Sequence, residues 1–245
     1  LTVKILKSPS MRAHRRFFYM QFFFSISYCT KKSNSPGICF SPRGLAVVFC
    51  AAAWYTSNSL GTLVVDGNGA SSSLEGFIYT SMNCIAQSAV SFVSANYGAK
   101  HKKNILKTMF YSMILIVLAN LLVGGTIGIF NEQLIRLYIQ DDVAIKVAQE
   151  RLLIISLTYF TCGFMDLFAY CLRGIGYSIT PMIITLCGAC GLRIVWILTF
   201  FQMEEFHNIQ GLVISYPISW IITAIVQSSS ATTAILVALA SAGTI

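Results

Sequence analysis

Long runs of apolar residues with at most one charge each, separated by short charged segments, dominate the chain from residue 44 onward. An α-helix rises 1.5 Å per residue and needs about 20 apolar residues to cross a hydrocarbon layer about 30 Å thick. Each run is long enough for one crossing. The pattern therefore predicts transmembrane helices within 44–65, 76–99, 108–130, 152–172 and 174–203.

The end of the chain carries a further apolar segment. No charged residue occurs from Asn208 to Ile245, a stretch too long for one upright helix. The polar tract 227–233 is predicted to divide it into a sixth span and a shorter apolar piece that begins at Ala234. We expect an all-α, polytopic membrane protein with about six transmembrane helices.

Charged residues between the runs predict how the helices are oriented. Lys and Arg precede the first run and follow the second and the fourth, whereas the other three connections are acidic or slightly acidic. Because Lys and Arg in short loops stay in the cytoplasm, the loops alternate between inside and outside, with residues 100–107 inside. Residues 1–43 form an irregular N-terminal segment with a candidate short apolar anchor at 17–30.

Composition excludes an ordinary soluble domain. Of the 245 residues, 56% are hydrophobic and 11% are charged, against about 25% charged in soluble proteins. We attribute the net charge of +8 to cytoplasmic loops and not to nucleic-acid binding, because few basic residues cluster with aromatic ones outside the apolar runs. The three His residues are scattered, and no catalytic or metal-ligand spacing occurs, so we expect neither an enzyme nor a cofactor.

Two charged side chains inside the apolar runs are candidates for function. Asp166 lies in the fourth run, where loss of hydration penalises the charged form, so its carboxyl group could bind and release a proton or hold a cation. The alternative is a structural ion pair with Arg193, which lies deep in the fifth run and needs a partner there. The two roles are compatible.

A polar stripe follows one face of the second predicted span. Thr80, Asn83 and Gln87 are three and then four residues apart, a spacing that places them on one side of a helix. They could line a transport pathway or hydrogen-bond neighbouring helices. Glu75, at the outer end of the same span, is a further pathway candidate or a solvated charge at the helix end.

Four stretches, in order and at the spacing of helices, resemble the C-terminal half of the multidrug and toxic compound extrusion (MATE) transporters. They are VVDGNGASSSLEGFIYTSMN (64–83), FVSANYGAK (92–100), CLRGIGYSITPMIITLCGACGLRIVWI (171–197) and YPISWIIT (216–223). The resemblance covers about 58–223, so we interpret 44–223 as one six-helix lobe.

The resemblance implies a secondary active exporter of drugs or organic cations in the plasma membrane, coupled to inward movement of protons or sodium. Such exporters have two six-helix lobes around a central cavity, so this lobe needs an N-terminal lobe or a second copy. Members of the family often carry an acid in the tenth helix, where Asp166 falls. The resemblance thus favours Asp166 as the site of the coupling ion. The expected partners are the lipid bilayer and a small organic substrate.

The tail, residues 224–245, resembles a different family. Its QSSSATT sequence is similar to a motif of sodium/phosphate cotransporters, in which the hydroxyl groups and unwound backbone of a broken helix hold both ions. This implies a composite chain and an alternative function, a fragment of a phosphate cotransporter. By residue type alone, a polar face for helix packing or an ordinary loop is favoured, and a membrane fragment without transport is the third hypothesis. The motif residues are Gln227, Ser228, Ser229, Ser230, Thr232 and Thr233.

Overall fold

The computed structural model describes residues 61–203 and 208–241, and these residues form a bundle of helices. The N-terminal segment 1–43 and nearly all of the first predicted span lie outside the described residues. Two short π-helical turns, at Asn120–Gly124 and Leu186–Gly191, each join two consecutive α-helices into one longer helical stretch. The α-helices are α1 (Thr62–Gly98), α2 (Lys102–Ala119), α3 (Gly125–Ile129), α4 (Asn131–Arg136), α5 (Asp142–Gly174), α6 (Ile179–Thr185), α7 (Leu192–Leu198) and α8 (Ile209–Ser241).

Four helical stretches among the described residues are long and apolar enough to cross a membrane. Large apolar side chains on their outer faces are exposed, including Leu122 and Leu157, as expected for a protein whose solvent is lipid. These stretches confirm the predicted third, fourth, fifth and sixth spans. They are Lys103–Ile129, Asp142–Gly174, Ile179–Gln202 and Ile209–Val237.

Helix α1 contains the second predicted span and is longer than the sequence suggested. It has 37 residues and packs along α5. Its first half buries polar residues, among them Ser71, Ser72 and Glu75, so it is less apolar than the four stretches above. Apolar residues of α1, including Ile78 and Met82, form the centre of the core with residues of α2, α5 and α8.

Contacts between the helices establish their relative directions. Helices α1, α5 and α8 run in one direction, whereas α2 and the pair α6–α7 run in the other. This order agrees with the alternation predicted from loop charge. Two contacts at different heights fix the relative direction of each pair of helices. For the parallel pairs they are Glu75–Arg151 and Asn83–Asp166 between α1 and α5, and Glu150–Gln210 and Tyr159–Trp220 between α5 and α8. For the antiparallel pairs they are Ile116–Gly163 and Asn120–Ser156, where the chain of α2 meets α5, and Thr185–Gln227 and Arg193–Ser219, where α6 and α7 meet α8.

The predicted division of the last apolar segment is wrong. Helix α8 continues from Ile209 to Ser241 without a break, through the whole polar tract. Four of the five hydroxyl groups of the tract donate to carbonyl oxygens of the preceding turn, as Ser230 does to Val226 at 2.9 Å. Because these groups find partners within their own helix, the tract does not need water or a loop.

The predicted connection at 66–75 is wrong, because this segment lies wholly within α1, and the predicted connection at 131–151 is too long, because α5 begins at Asp142. Glu75 lies within α1 and Arg151 within α5, and both side chains are buried. Charged residues marked these segments as loops in the sequence, but the two charges form an ion pair between helices, with 3.0 Å from Arg151 Nη2 to Glu75 Oε2. Pairing allows the charges to remain inside the bundle.

Candidate functional site: a polar ladder between two helices

A line of polar side chains occupies the contact between the parallel helices α1 and α5. On α1 the members are four residues apart, which places them on one face of the helix. Opposite them, α5 contributes an arginine, an aspartate and two tyrosines. We call this set the polar ladder; it consists of Glu75, Tyr79, Asn83 and Gln87 on α1, and of Arg151, Tyr159, Asp166 and Tyr170 on α5.

Asp166 occupies one end of the ladder and is partly buried. Its carboxyl group is a hydrogen-bonding neighbour of the Tyr79 hydroxyl group and the Asn83 amide. The Asn83 Nδ2 atom also donates to the Tyr79 hydroxyl oxygen at 2.8 Å, and Gln87 Nε2 donates to Asn83 Oδ1. The guanidinium group of Arg173, one helix turn beyond Tyr170, adds a positive charge near this carboxylate. The hydrogen-bonding neighbours of Asp166 on α1 are therefore neutral, and the nearby charge is that of Arg173 on its own helix.

The other end of the ladder holds the ion pair of Glu75 and Arg151. The Arg151 side chain is 4% exposed and that of Glu75 is 9% exposed. Arg151 Nη1 also donates to the carbonyl oxygen of Asn68 at 3.2 Å. Two atoms of the pair, Glu75 Oε1 and Arg151 Nε, have no hydrogen-bond partner. The expectation that Glu75 is a solvated charge at a helix end is therefore wrong.

Arg193 lies near the same end and is held by α8. Its Nε atom donates to Ser219 Oγ at 3.0 Å, and its guanidinium carbon lies 4.0 Å from the centre of the Tyr216 ring. The Trp220 ring is 5.5 Å away. Stacking of this kind stabilises a cation in a poorly hydrated place. The ion pair with Asp166 that the sequence suggested is thus replaced by contacts with α8, and the charge of Arg193 acts on Glu75.

The structure separates the three members of the predicted polar stripe. Asn83 and Gln87 belong to the ladder, whereas Thr80 is exposed and donates to the carbonyl oxygen of Gly76 at 2.8 Å. Sequence reasoning missed Arg151, which it placed in a loop, and the three tyrosines, which it counted as apolar. The four-residue spacing of Glu75, Tyr79, Asn83 and Gln87 was the available signal.

The residues of the tail motif do not form an ion site of unwound backbone. Gln227 is fully buried and donates to Thr185 Oγ1 at 2.7 Å, which joins α8 to α6. Ser228 and Ser229 face an open, mainly apolar groove of about 440 Å³ between α5 and α8. Four hydroxyl groups of the motif donate to carbonyl oxygens of their own helix; these groups are Ser229, Ser230, Thr232 and Thr233.

Fold and site together define a multi-pass helical membrane protein that keeps charged and polar groups between its helices, the construction expected of a membrane transporter. The family model MatE matches residues 45–199, more than half of the chain. The chain belongs to the MatE family, the MATE transporters. Proteins of this family are transporters and not enzymes.

Two solved structures have the same fold. One is an inward-facing multidrug resistance MATE family transporter of the MOP superfamily; identity is 16%, the TM-score is 0.69, and the match covers 81% of this chain and 45% of that one. The other is a MOP superfamily transporter from Pyrococcus furiosus, described with a binding pocket of reverse polarity that suggests a different function; identity is 20%, the TM-score is 0.64, and coverage is 76% and 41%.

The chain spans less than half the length of these two relatives. No curated protein matches it.

Proposed function

We propose that the chain acts as the C-terminal lobe of a cation-coupled exporter of drugs or organic cations in the plasma membrane. In this proposal Asp166 binds and releases the coupling ion, a proton or sodium, and the rest of the polar ladder orients it. Residues 44–223 are the lobe, and an N-terminal lobe or a second copy completes the central cavity. The family match and the shared fold support a role in transport.

The observation that carries the proposal is the environment of Asp166. This carboxylate lies inside a helix that is long and apolar enough to span the membrane, and it faces neutral donors on α1, Tyr79 and Asn83. A carboxylate locked to an arginine, such as Glu75, is ill suited to exchange an ion, because its charge is already neutralised. A carboxylate whose hydrogen-bonding neighbours are neutral can gain and lose a cation.

An efflux assay tests the proposal. The chain is expressed in cells that lack their own drug exporters, alone and together with the N-terminal lobe of a MATE transporter, and loss of a fluorescent organic cation is recorded. We expect efflux only with both lobes, driven by an imposed pH or sodium gradient. Asp166→Asn should abolish it without reducing the amount of protein in the membrane, because the substitution keeps the shape and removes the ionisable group.

The matched control is Asp66→Asn, which changes an exposed carboxylate of α1. Efflux by this variant should equal that of the parent. Efflux with unchanged pH and sodium dependence in Asp166→Asn would refute the role of Asp166. If the parent chain shows no efflux with any tested N-terminal lobe, the result would favour the third hypothesis, that the chain is a membrane fragment that does not transport.

A further inference from the structure

The exposed face of α2 joins two basic side chains to an apolar stripe. Lys103 and Lys107 are exposed at the start of the helix, and Phe110, Ile114 and Leu118 are exposed further along it. These five positions are four, three, four and four residues apart in the sequence, so they share one face of the helix. The two lysines therefore stand at one end of a continuous apolar stripe.

The opposite face of α2 holds the helix in the bundle. Ile105, Met109, Ser112 and Ile116 are buried and recur with the same helical spacing. The three apolar members belong to the core that α2 shares with α1 and α5. The face with the lysines is thus directed away from these two helices and towards the surroundings of the protein.

The lysines lie at the level of the lipid headgroups. The membrane-spanning stretch that contains α2 starts at Lys103. The headgroup layer is about 5–8 Å thick on each side of the hydrocarbon core, and Phe110 lies about 10 Å beyond Lys103 along the helix. The flexible stem of Lys107 can lie along the helix while its ammonium group reaches the headgroups. The lysines are therefore placed to meet lipid phosphates, and the apolar residues to meet acyl chains.

No acidic residue offsets the charge of these lysines. The sequence contains no Asp or Glu from 76 to 131 or from 167 to 203, so the α1–α2 and α5–α6 connections at this end of the bundle carry only basic charges. Neither lysine forms an ion pair within the part of the chain that the structure describes. Lys146, at the opposite end, differs because Asp142 and Glu150 lie one helix turn away on either side.

We propose that this face of α2 binds an anionic phospholipid of the bilayer. The ammonium groups of Lys103 and Lys107 contact the negatively charged headgroup, and one acyl chain lies along the stripe of Phe110, Ile114 and Leu118. A zwitterionic phospholipid is a poorer ligand, because the cationic part of its headgroup is repelled by the lysines. The proposal depends neither on transport nor on the role of Asp166.

The experiment measures lipid binding through a tryptophan placed on the stripe. Phe110→Trp is introduced into a chain in which Trp54, Trp196 and Trp220 are replaced by Phe, and the purified protein is inserted into lipid nanodiscs. Bromine atoms on an acyl chain quench an indole that they contact. We expect brominated phosphatidylglycerol, which is anionic, to bind at the stripe about tenfold more tightly than brominated phosphatidylcholine, because each lysine contributes roughly fivefold.

Nanodiscs have the same lipids in both leaflets, so the result does not depend on which way the protein is oriented. Lys103→Gln combined with Lys107→Gln should remove the preference for phosphatidylglycerol, whereas Lys103→Arg combined with Lys107→Arg should keep it. High salt should weaken the preference, because exposed charges are screened. The matched control, Lys146→Gln, removes an exposed lysine at the other end of the bundle and should leave the preference unchanged.

A second measurement keeps all the native tryptophans. Phosphatidylglycerol added to the chain in neutral detergent should raise its melting temperature more than phosphatidylcholine does, because a ligand of the folded state stabilises it. The difference should be lost in the double Gln variant of Lys103 and Lys107. Equal quenching by the two brominated lipids in the parent would overturn the inference. A preference that survives the removal of both lysines would overturn it as well.

Discussion

At the scale of single residues, the buried ion pair of Glu75 and Arg151 is the contact whose disruption we expect to lower the stability of the protein most. Both side chains are nearly inaccessible, and each leaves one polar atom without a partner. The cost of dehydrating two charges is comparable with their attraction, so the intact pair adds little net stability. Removing one partner is a different matter, because the remaining charge stays buried and is not compensated.

This asymmetry gives a prediction for Glu75. We expect Glu75→Gln to lower the free energy of unfolding by about 3–5 kcal/mol, because Arg151 loses its counter-charge. The change can be measured as thermal unfolding of the chain in detergent, followed by size-exclusion chromatography. The control is Glu132→Gln, which breaks an ion pair with Arg136 whose side chains are both 53% exposed, and which should cost about 0–1 kcal/mol.

Replacing both partners tests whether the unpaired buried charge is the cause of the destabilisation. The double variant Glu75→Leu with Arg151→Met should recover part of the stability that Glu75→Gln loses, because no unpaired charge from the pair remains. Recovery is incomplete because Arg193 also interacts with Glu75. Equal stability of Glu75→Gln and Glu132→Gln would show that the pair is more hydrated than the structure indicates.

The candidate residues were only partly predictable from the sequence. Asp166 and Arg193 stood out because a charge inside an apolar run is rare and costly. Glu75 and Arg151 did not, because each lies near other charges and was taken for part of a loop. The partner of a charge depends on the register between two helices, here α1 and α5, and hydropathy along one chain does not contain that register.

At the scale of helices, close approach of backbones at glycine positions holds α1 against α5. A Cβ atom built on Gly67 would lie 2.5 Å from the carbonyl oxygen of Ala144, which belongs to the backbone of α5 and cannot swing away. Gly163 of α5 is similarly close to the Ile116 side chain of α2. In lipid, small residues of this kind permit the packing that holds helices together.

Helix packing predicts opposite effects for two glycine-to-alanine substitutions. Gly67→Ala should lower thermal stability by about 1–3 kcal/mol, because α1 must move away from α5. Gly125→Ala, where a Cβ atom would meet nothing within 4 Å, should be neutral or stabilising by up to about 1 kcal/mol, since alanine favours the helix. Both can be measured by thermal unfolding in detergent. Equal effects would mean that α1 and α5 are not in close contact at Gly67.

The contact between α8 and α6 predicts an outcome for Gln227. Its Oε1 atom is buried without a partner, and its Nε2 atom bonds to Thr185 Oγ1, which also donates to the carbonyl oxygen of Pro181. Gln227→Met should therefore be nearly neutral or stabilising, because a methionine of similar shape removes the unsatisfied atom. Thermal unfolding measures this, with Gln227→Ala as the control that leaves a cavity and lowers stability.

The same samples test the phosphate-cotransporter hypothesis. Sodium and phosphate together should not change the melting temperature of the parent chain, because four of the five hydroxyl groups of the tract are bonded within their own helix. A sodium-dependent rise in melting temperature with phosphate, lost in Gln227→Met, would contradict this expectation and revive that hypothesis.

At the scale of the whole molecule, the pattern of apolar runs predicted the fold class, because a lipid solvent imposes long uncharged helices. It did not predict the continuity of α8 or the length of α1. In both places polar groups are satisfied inside the bundle, by the helix backbone for Ser230 and by an ion pair for Glu75. Hydropathy treats such groups as if they needed water.

The alternating helix directions, joined to the distribution of Lys and Arg, predict which loops face the cytoplasm. The end of the bundle with the α1–α2 and α5–α6 connections carries Lys100, Lys103 and Arg173, so it should lie inside. In a cysteine-free background, we expect a membrane-impermeant maleimide to label Gln140→Cys in intact cells. Lys103→Cys and Tyr177→Cys, both at the other end, should be labelled only after permeabilisation.

The labelling pattern separates two physical claims. If Gln140→Cys and Lys103→Cys react from the same side, the directions of α1, α2 and α5 are wrong, and with them the pairing of Glu75 with Arg151. If all three positions react from the sides opposite to those expected, the directions stand, and the error lies in the orientation taken from Lys and Arg. In that case the Glu75 end of the ladder would face the cytoplasm, and the coupling ion would enter Asp166 from the other side.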